Sequence, residues 1–155
     1  MGDSEIDLRL KIRNMQESDL ESVYEIEKNT HVQPWSWKIL CECYQSDYLC
    51  FVAIKGKMLC GYIILTEVID ESHLLNLCVC KDQQGSGIGR DLVREGISQV
   101  SQRGVNKMFL EVRRSNVSAI GLYQSLGFVE IGVRSNYYRG SCLDEDALVF
   151  VLSIE

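Results

Sequence analysis

The 155-residue sequence predicts a single domain, residues 1–155, of mixed α/β (α+β) class. Its expected architecture is a mostly antiparallel sheet of about seven strands flanked by about four helices. Three observations predict it. Apolar runs and helical patterns succeed one another in the order β-α-α-β-β-β-α-β-α-β-β. One strand-to-helix crossover carries a glycine cluster, Gly85-Ser86-Gly87-Ile88-Gly89. The helices do not alternate one for one with strands, so a repeated βαβ series with a wholly parallel sheet is excluded.

"LRLKIRNM" alternates apolar and polar residues and reads as an opening strand. "SDLESVYEIEKN" reads as a helix: Leu20, Val23 and Ile26 recur at helical spacing behind a capping box of Ser18 and Glu21. "PWSWKILCECYQ" is a second short helix with Ser36 as its N-cap. "YLCFVAIK", a Gly56-Lys57 turn and "MLCGYIILTEVI" form a hairpin, which "SHLLNLCVC" extends. After the glycines comes a helix carrying Ile88, Leu92, Val93, Ile97 and Val100, stopped near Gly104. "KMFLEVR" is a short strand. "NVSAIGLYQSLG" is a helix with Asn116 placed to cap it and Gly127 placed to end it. "FVEIGVRSNYY" and "DALVFVLSI" are the last two strands.

Composition narrows the function. The chain is 46% hydrophobic and 25% charged, ordinary values for a globular protein. A net charge of -6 argues against direct binding of nucleic acid. No apolar run approaches the roughly 18 residues of a membrane span, and "MGDSEIDLRLKIR" lacks the apolar core of a secretion signal. Seven cysteines without such a signal point to a reducing, cytoplasmic setting, and a monomer is expected. Cys41/Cys43 and Cys78/Cys80 are the close pairs, and His31 and His73 the only histidines. Residues so scattered make no four-ligand metal site.

The stretch Gln84-Gly85-Ser86-Gly87-Ile88-Gly89-Arg90 carries the first chemical signal. A helix start presents unpaired N–H groups and a positive dipole end, and glycines let the backbone approach a phosphate closely. Two common phosphate motifs fail here. No lysine follows the glycines as a P-loop requires, and Arg90 stands where a dinucleotide fingerprint needs its last glycine. The pattern that remains is Gln-x-x-Gly-x-Gly. The second signal is Glu111, a carboxylate in a short strand on the face opposite Leu110 and Val112, followed by Tyr123 on the next helix. Taken singly, each has an ordinary structural reading.

Together they carry a resemblance. Gln-x-x-Gly-x-Gly is similar to the pyrophosphate-binding motif of the GNAT family of N-acetyltransferases. "LEVRRSNVSAIGLYQSLGF", with "EIEKNTHVQPWS", "LLNLCV" and "RSNYY", resembles its RimI-type branch, the ribosomal-protein-alanine N-acetyltransferases, over nearly the whole chain. The resemblance implies the GNAT fold, with the strands of "LLNLCV" and "KMFLEVR" splayed apart around acetyl-CoA. It implies that Leu77, Cys78 and Val79 offer main chain to the acetyl group and pantetheine arm. It implies that Gln84, Gly85, Ser86, Gly87, Ile88, Gly89 and Arg90 hold the pyrophosphate, and that Asn116 contacts the cofactor. Glu111 would be the general base and Tyr123 the general acid. Trp35, Tyr137 and Tyr138 lie where the family receives its peptide.

The implied reaction is direct transfer in a ternary complex: a protein's first amine attacks the thioester of acetyl-CoA, without a metal. The acceptor implied is the alanine N-terminus of small-subunit ribosomal protein number eighteen. Other protein N-termini, lysines and small-molecule amines stand as alternative acceptors, and a non-catalytic acyl-CoA-binding module as a rival of another class. In "RGSCLDEDA" Arg139 stands where relatives often carry proline, a departure that bears on peptide selectivity. An α-amine of pKa ~7.7–8.0 is roughly a tenth neutral at pH 7, whereas a lysine of pKa ~10.4 faces a further penalty of about 3.4 kcal/mol. Glu111 at an ordinary carboxylate pKa is a poor proton acceptor. It needs a raised pKa, a bridging water, or a proton surrendered only after attack. Tyr123 is expected chiefly to hydrogen-bond the sulfur as charge develops on it. Cys78, close to the thioester, is not needed as an acyl carrier.

Overall fold

The computed structural model describes residues 8–138 and 145–155. Seven strands form one sheet: β1 (Leu10–Asn14), β2 (Leu49–Lys55), β3 (Met58–Val68), β4 (Glu71–Val79), β5 (Lys107–Arg113), β6 (Val129–Tyr138) and β7 (Glu145–Ser153). Four α-helices flank it: α1 (Leu20–Thr30), α2 (Trp37–Gln45), α3 (Ile88–Ser101) and α4 (Val117–Ser125). The strand order is β1-β2-β3-β4-β5-β7-β6. Only β4 and β5 run parallel, joined by α3; every other pairing is antiparallel. Among the described residues no helix is long and apolar enough to cross a membrane.

Alternation along the strands divides the core in two. Phe51, Ala53, Ile63 and Leu65 turn to one face, where Leu92, Val93 and Val100 of α3 cover them. Val52, Tyr62 and Ile64 turn to the other, against Val23 and Ile26 of α1 and Leu40 of α2. Ser36 caps α2 by accepting the Ile39 N–H at 3.2 Å. The cap of α1 differs from the expected Ser18–Glu21 box. A 3-10 turn over Glu17–Asp19 precedes the helix, and Asp19 accepts the Gln16 N–H at 2.7 Å. Arg13 on β1 grips both oxygens of Asp19, at 2.7 and 2.9 Å. Such a bidentate charged pair outcompetes a hydroxyl–carboxylate box. The guanidinium holds the Asp19 carboxyl below the usual carboxylate range.

Two packing features fix the course of β4. A Cβ at Gly61 would stand 2.6 Å from the Cys78 carbonyl oxygen, so the β3–β4 contact requires glycine. Gly61→Ala is expected to cost about 2 kcal/mol by overpacking, a Tm loss of about 4–8 °C for a chain of this size; calorimetric melting checks this. The second feature is a bulge. Leu65 pairs with Leu74 but Ile64 pairs with Asn76, so Leu75 is an extra residue on β4. The face alternation therefore slips by one. Leu74 joins the α3 side, while Asn76 and Cys78, although two and four residues along, turn toward α1.

Candidate active site

The bulge coincides with an opening in the sheet. β4 and β5 pair only from Glu71↔Lys107 to Leu74↔Leu110. Beyond that point β4 remains bonded to β3 and β5 to β7, so Leu77, Cys78 and Val79 border a gap. The expected splay between these strands is present. Main-chain groups facing such a gap lack sheet partners and can pair with an extended ligand.

The glycine loop lies past the end of β4. Gly85 and Gly87 have φ of +83° and +89°, and a Cβ on either would meet none of the described residues within 4 Å. These left-handed conformations require glycine, and the space above them is open. Gly87 is the N-cap of α3, whose first helical bond runs from the Asp91 N–H to the Gly87 carbonyl at 3.1 Å. The N–H groups of Ile88, Gly89 and Arg90 precede that bond and so point out of the helix start. Gln84 ties the loop back by donating to the Val79 carbonyl at 3.0 Å, and Ser86 donates to the Gln83 carbonyl at 2.7 Å. Ile88 is buried and serves the core, while Gly89 lets Leu122 of α4 approach. Arg90 reaches sideways to the Ser125 hydroxyl at 2.8 Å, so its charge sits toward α4. Asn116 caps α4 through the Ala119 N–H at 3.3 Å. An anion at this loop would meet backbone donors and a helix dipole.

At the edge of the gap stands Glu111, with an 11% exposed side chain. One carboxylate oxygen is hydrogen-bonded to the His73 ring nitrogen Nε2; the other lies 3.7 Å from Arg134 Nη2 on β6. The hydrogen bond from His73, with Arg134 adding to it, holds the Glu111 carboxyl below the ordinary carboxylate range. Of the three routes open to a glutamate base, a raised pKa is therefore absent. Tyr123 is buried, its ring edge-on to Phe128 at 5.6 Å. Its hydroxyl has no hydrogen bond to a described residue. Burial first, then nearby Tyr138, push it above the ordinary phenol range. A harder phenol is a hydrogen-bond donor more than a proton source.

Tyr137 and Tyr138 meet edge to face at 5.1 Å. An irregularity puts them there: Arg134 pairs with Ala147 and Tyr138 with Glu145, leaving three β6 residues against one on β7. Within it Asn136 takes φ of 53°, and its N–H donates to Asp146 at 3.0 Å. Arg113 lies over the Tyr138 ring at 4.2 Å and reaches Gln33 on the α1–α2 loop at 3.1 Å, tying β6 to that loop. Trp35, on that same loop, is partly buried against the α1–α2 core. Arg139 and Cys142 lie outside the described residues. The Cys78 thiol faces away, toward Tyr62 and Thr30, and burial pushes it up to about 11. Such a thiol is a poor nucleophile at neutral pH.

Three neighbours of these residues have no role legible in the sequence: His73, and Arg134 and Glu27, which lie within "RSNYY" and "EIEKNTHVQPWS" but read there as ordinary charged positions. Glu27, on α1, is 1% exposed and hydrogen-bonded to Tyr62, Asn76 and the Trp35 N–H. Among the described residues no group of three His, Cys, Asp or Glu could hold a metal ion.

Comparison with known proteins shows the family and the fold. Residues 10–128 match the model of the acetyltransferase (GNAT) family. The chain is 38% identical over 143 residues to the ribosomal protein bS18-alanine N-acetyltransferase of Escherichia coli, covering 92% of this chain and 97% of that protein. It is 38% identical over 127 residues to the protein of the same name from Haemophilus influenzae, covering 82% and 86%. The crystal structure of the ribosomal-protein-S18-alanine N-acetyltransferase from Escherichia coli matches with a TM-score of 0.90 at 37% identity, over 95% of each chain.

Proposed function

The chain belongs to the GNAT acetyltransferase family and is an acetyl-CoA-dependent N-acetyltransferase; we propose that its acceptor is the α-amine of a protein N-terminus, that of an alanine-starting ribosomal protein S18. The observation that carries the acceptor reading is a carboxylate–imidazole dyad, Glu111 and His73, joined through Arg134 to Tyr137, beside the Tyr138 ring that Arg113 ties to Gln33 of the α1–α2 loop. The α1–α2 loop and the β6 tyrosines, tied together beside the dyad, suit an extended chain end that can be held by its main chain.

Bound acetyl-CoA supplies an activated acyl thioester. Its diphosphate is assigned to the N–H groups of the Gly85–Arg90 loop, and its pantetheine arm to the main chain bordering the β4–β5 gap. The chain's own groups handle the protons. Glu111, ionised, accepts the His73 Nε2–H and fixes the ring. The opposite nitrogen, Nδ1, then carries the lone pair that takes the ammonium proton, directly or through water. Tyr123 donates its hydroxyl hydrogen bond where charge grows on the departing sulfur. Tyr123→Phe is accordingly expected to lower kcat about tenfold to a hundredfold with acetyl-CoA affinity unchanged. Its Tm should hold, because the hydroxyl leaves no partner behind among the described residues.

A small polyamine as acceptor is disfavoured by the way Glu145 and Asp146 are already paired. Glu145 spends its oxygens on Arg113 and the Ser115 N–H, and Asp146 on Arg114 and the Asn136 N–H. The test is mass spectrometry of peptides beginning Ala-, Ser-, Met- and Gly-, with lysine-containing and small-amine controls, after incubation with acetyl-CoA. The expected mark is on the α-amine of Ala-starting peptides. A mark confined to lysine side chains or small amines would overturn the acceptor assignment.

A further inference from the structure

We propose that Glu27 is a positioning residue that locks the acceptor loop onto the acyl-binding strand, an inference that rests on the acceptor reading above. Nothing in the proton handling uses Glu27, yet its carboxylate is among the most deeply buried groups in the chain. Packing does not require it there. Leu20, Val23 and Ile26 already cover the sheet from α1, and an apolar residue would avoid the cost of burying a charge.

What the carboxylate does is connect three elements. Its Oε1 accepts the Tyr62 hydroxyl of β3 at 2.5 Å and the Asn76 Nδ2 of β4 at 2.6 Å. Its Oε2 accepts the Trp35 N–H of the α1–α2 loop at 3.0 Å. Three donors on two oxygens is the pattern of an ionised carboxylate. His31, at the start of the loop, adds a second tie by donating from Nε2 to the Asn76 Oδ1 at 2.9 Å. Asn76 is the first residue past the β4 bulge and directly precedes Leu77, Cys78 and Val79. One buried group therefore sets the distance between the loop that receives the amine and the strand that borders the acyl site. The intervening Pro34 offers no N–H of its own, so the loop depends on such outside bonds.

Glutamine cannot replace this glutamate. It has one acceptor oxygen for three donors, and its NH₂ would face either the Trp35 N–H or the Asn76 amide, donor against donor. A general loosening of the fold and a specific loss of registration predict different results. Steady-state kinetics with an Ala-starting peptide and calorimetry with acetyl-CoA separate them. Glu27→Gln should raise the acceptor KM at least about tenfold and lower kcat, while the acetyl-CoA Kd stays within about twofold of wild type. Amide exchange at Trp35 should accelerate at least about tenfold. Glu27→Asp, which keeps the charge but shortens the reach, should raise the acceptor KM at least about threefold if the glutamine variant fails to fold. Tyr62→Phe, which leaves the Trp35 tie intact, should change the acceptor KM less than either.

An acceptor KM within twofold of wild type for the folded variants, or equal losses in acceptor KM and acetyl-CoA Kd, overturns the proposal. Should the wild-type protein acetylate no peptide, the acceptor reading fails by itself. The Trp35 exchange rate then decides this inference, with an unchanged rate in the folded variant overturning it.

Discussion

Glu111→Gln is expected to lower kcat by about 10²–10³ with acetyl-CoA affinity unchanged. Glutamine keeps the volume and can accept the His73 Nε2–H, but it brings no charge to hold the ring or to stabilise the imidazolium that forms. His73→Gln should cost a comparable factor. The double variant should lose little more than either single one, because the two side chains act as one device. The pH dependence supplies the sign. Glu111 is held below the ordinary carboxylate range by His73 and Arg134, so it stays ionised throughout any practical assay range. An acid limb in kcat/KM above the carboxylate range is therefore not a titration of Glu111, and a base role for His73 predicts that His73→Gln abolishes that limb. A glutamate acting alone predicts the opposite: the limb would persist in His73→Gln and would lie near the carboxylate range. The profile of the two single variants distinguishes these cases.

The second large effect is expected at the glycine loop. Gly87→Ala should weaken acetyl-CoA binding by about 10- to 100-fold, read by calorimetry, for two reasons. At φ of +89° an L-residue carries strain of about 1–2 kcal/mol. Relief of that strain moves the N–H groups that open α3. The new Cβ also projects into the open space where a diphosphate would lie, and each tenfold in Kd is about 1.4 kcal/mol. Among the described residues nothing lies within 4 Å of that Cβ, so no clash adds to the strain there. Gly61→Ala provides the contrast: its Cβ meets the Cys78 carbonyl, so it should lower Tm by more than Gly87→Ala does.

The fold is legible in the sequence to the extent that it rests on local pattern. The seven strands and four helices follow from apolar period, and Ser36 and Asn116 cap where their positions before helical runs predict. The loop glycines are legible because positive φ selects glycine. What stays hidden depends on register or on distant partners. The β4 bulge cannot be read from alternation, because Ser72, Leu74, Asn76 and Cys78 keep the same parity while the face changes between Leu74 and Asn76. In the sequence His73 is a lone strand histidine. Its meeting with Glu111, 38 residues on, follows from the parallel pairing of His73 with Phe109. Glu27 reads as one more polar position on a charged helix, since "EIEKN" says nothing of the Tyr62 and Asn76 donors that bury it. The α1 cap departs from expectation for the same reason, its Arg13 partner lying on β1.

These expectations share one geometric premise: the Gly85–Arg90 loop and the β4–β5 gap hold a single acetyl-CoA whose acyl end lies beside Glu111, His73 and Tyr123. The decisive measurement is a crystal structure with acetyl-CoA bound. The diphosphate should lie on the N–H groups that open α3, the pantetheine between β4 and β5, and the thioester sulfur within hydrogen-bond reach of the Tyr123 hydroxyl. A cofactor bound elsewhere, or a sulfur remote from Tyr123 and from the Glu111–His73 pair, would refute that premise.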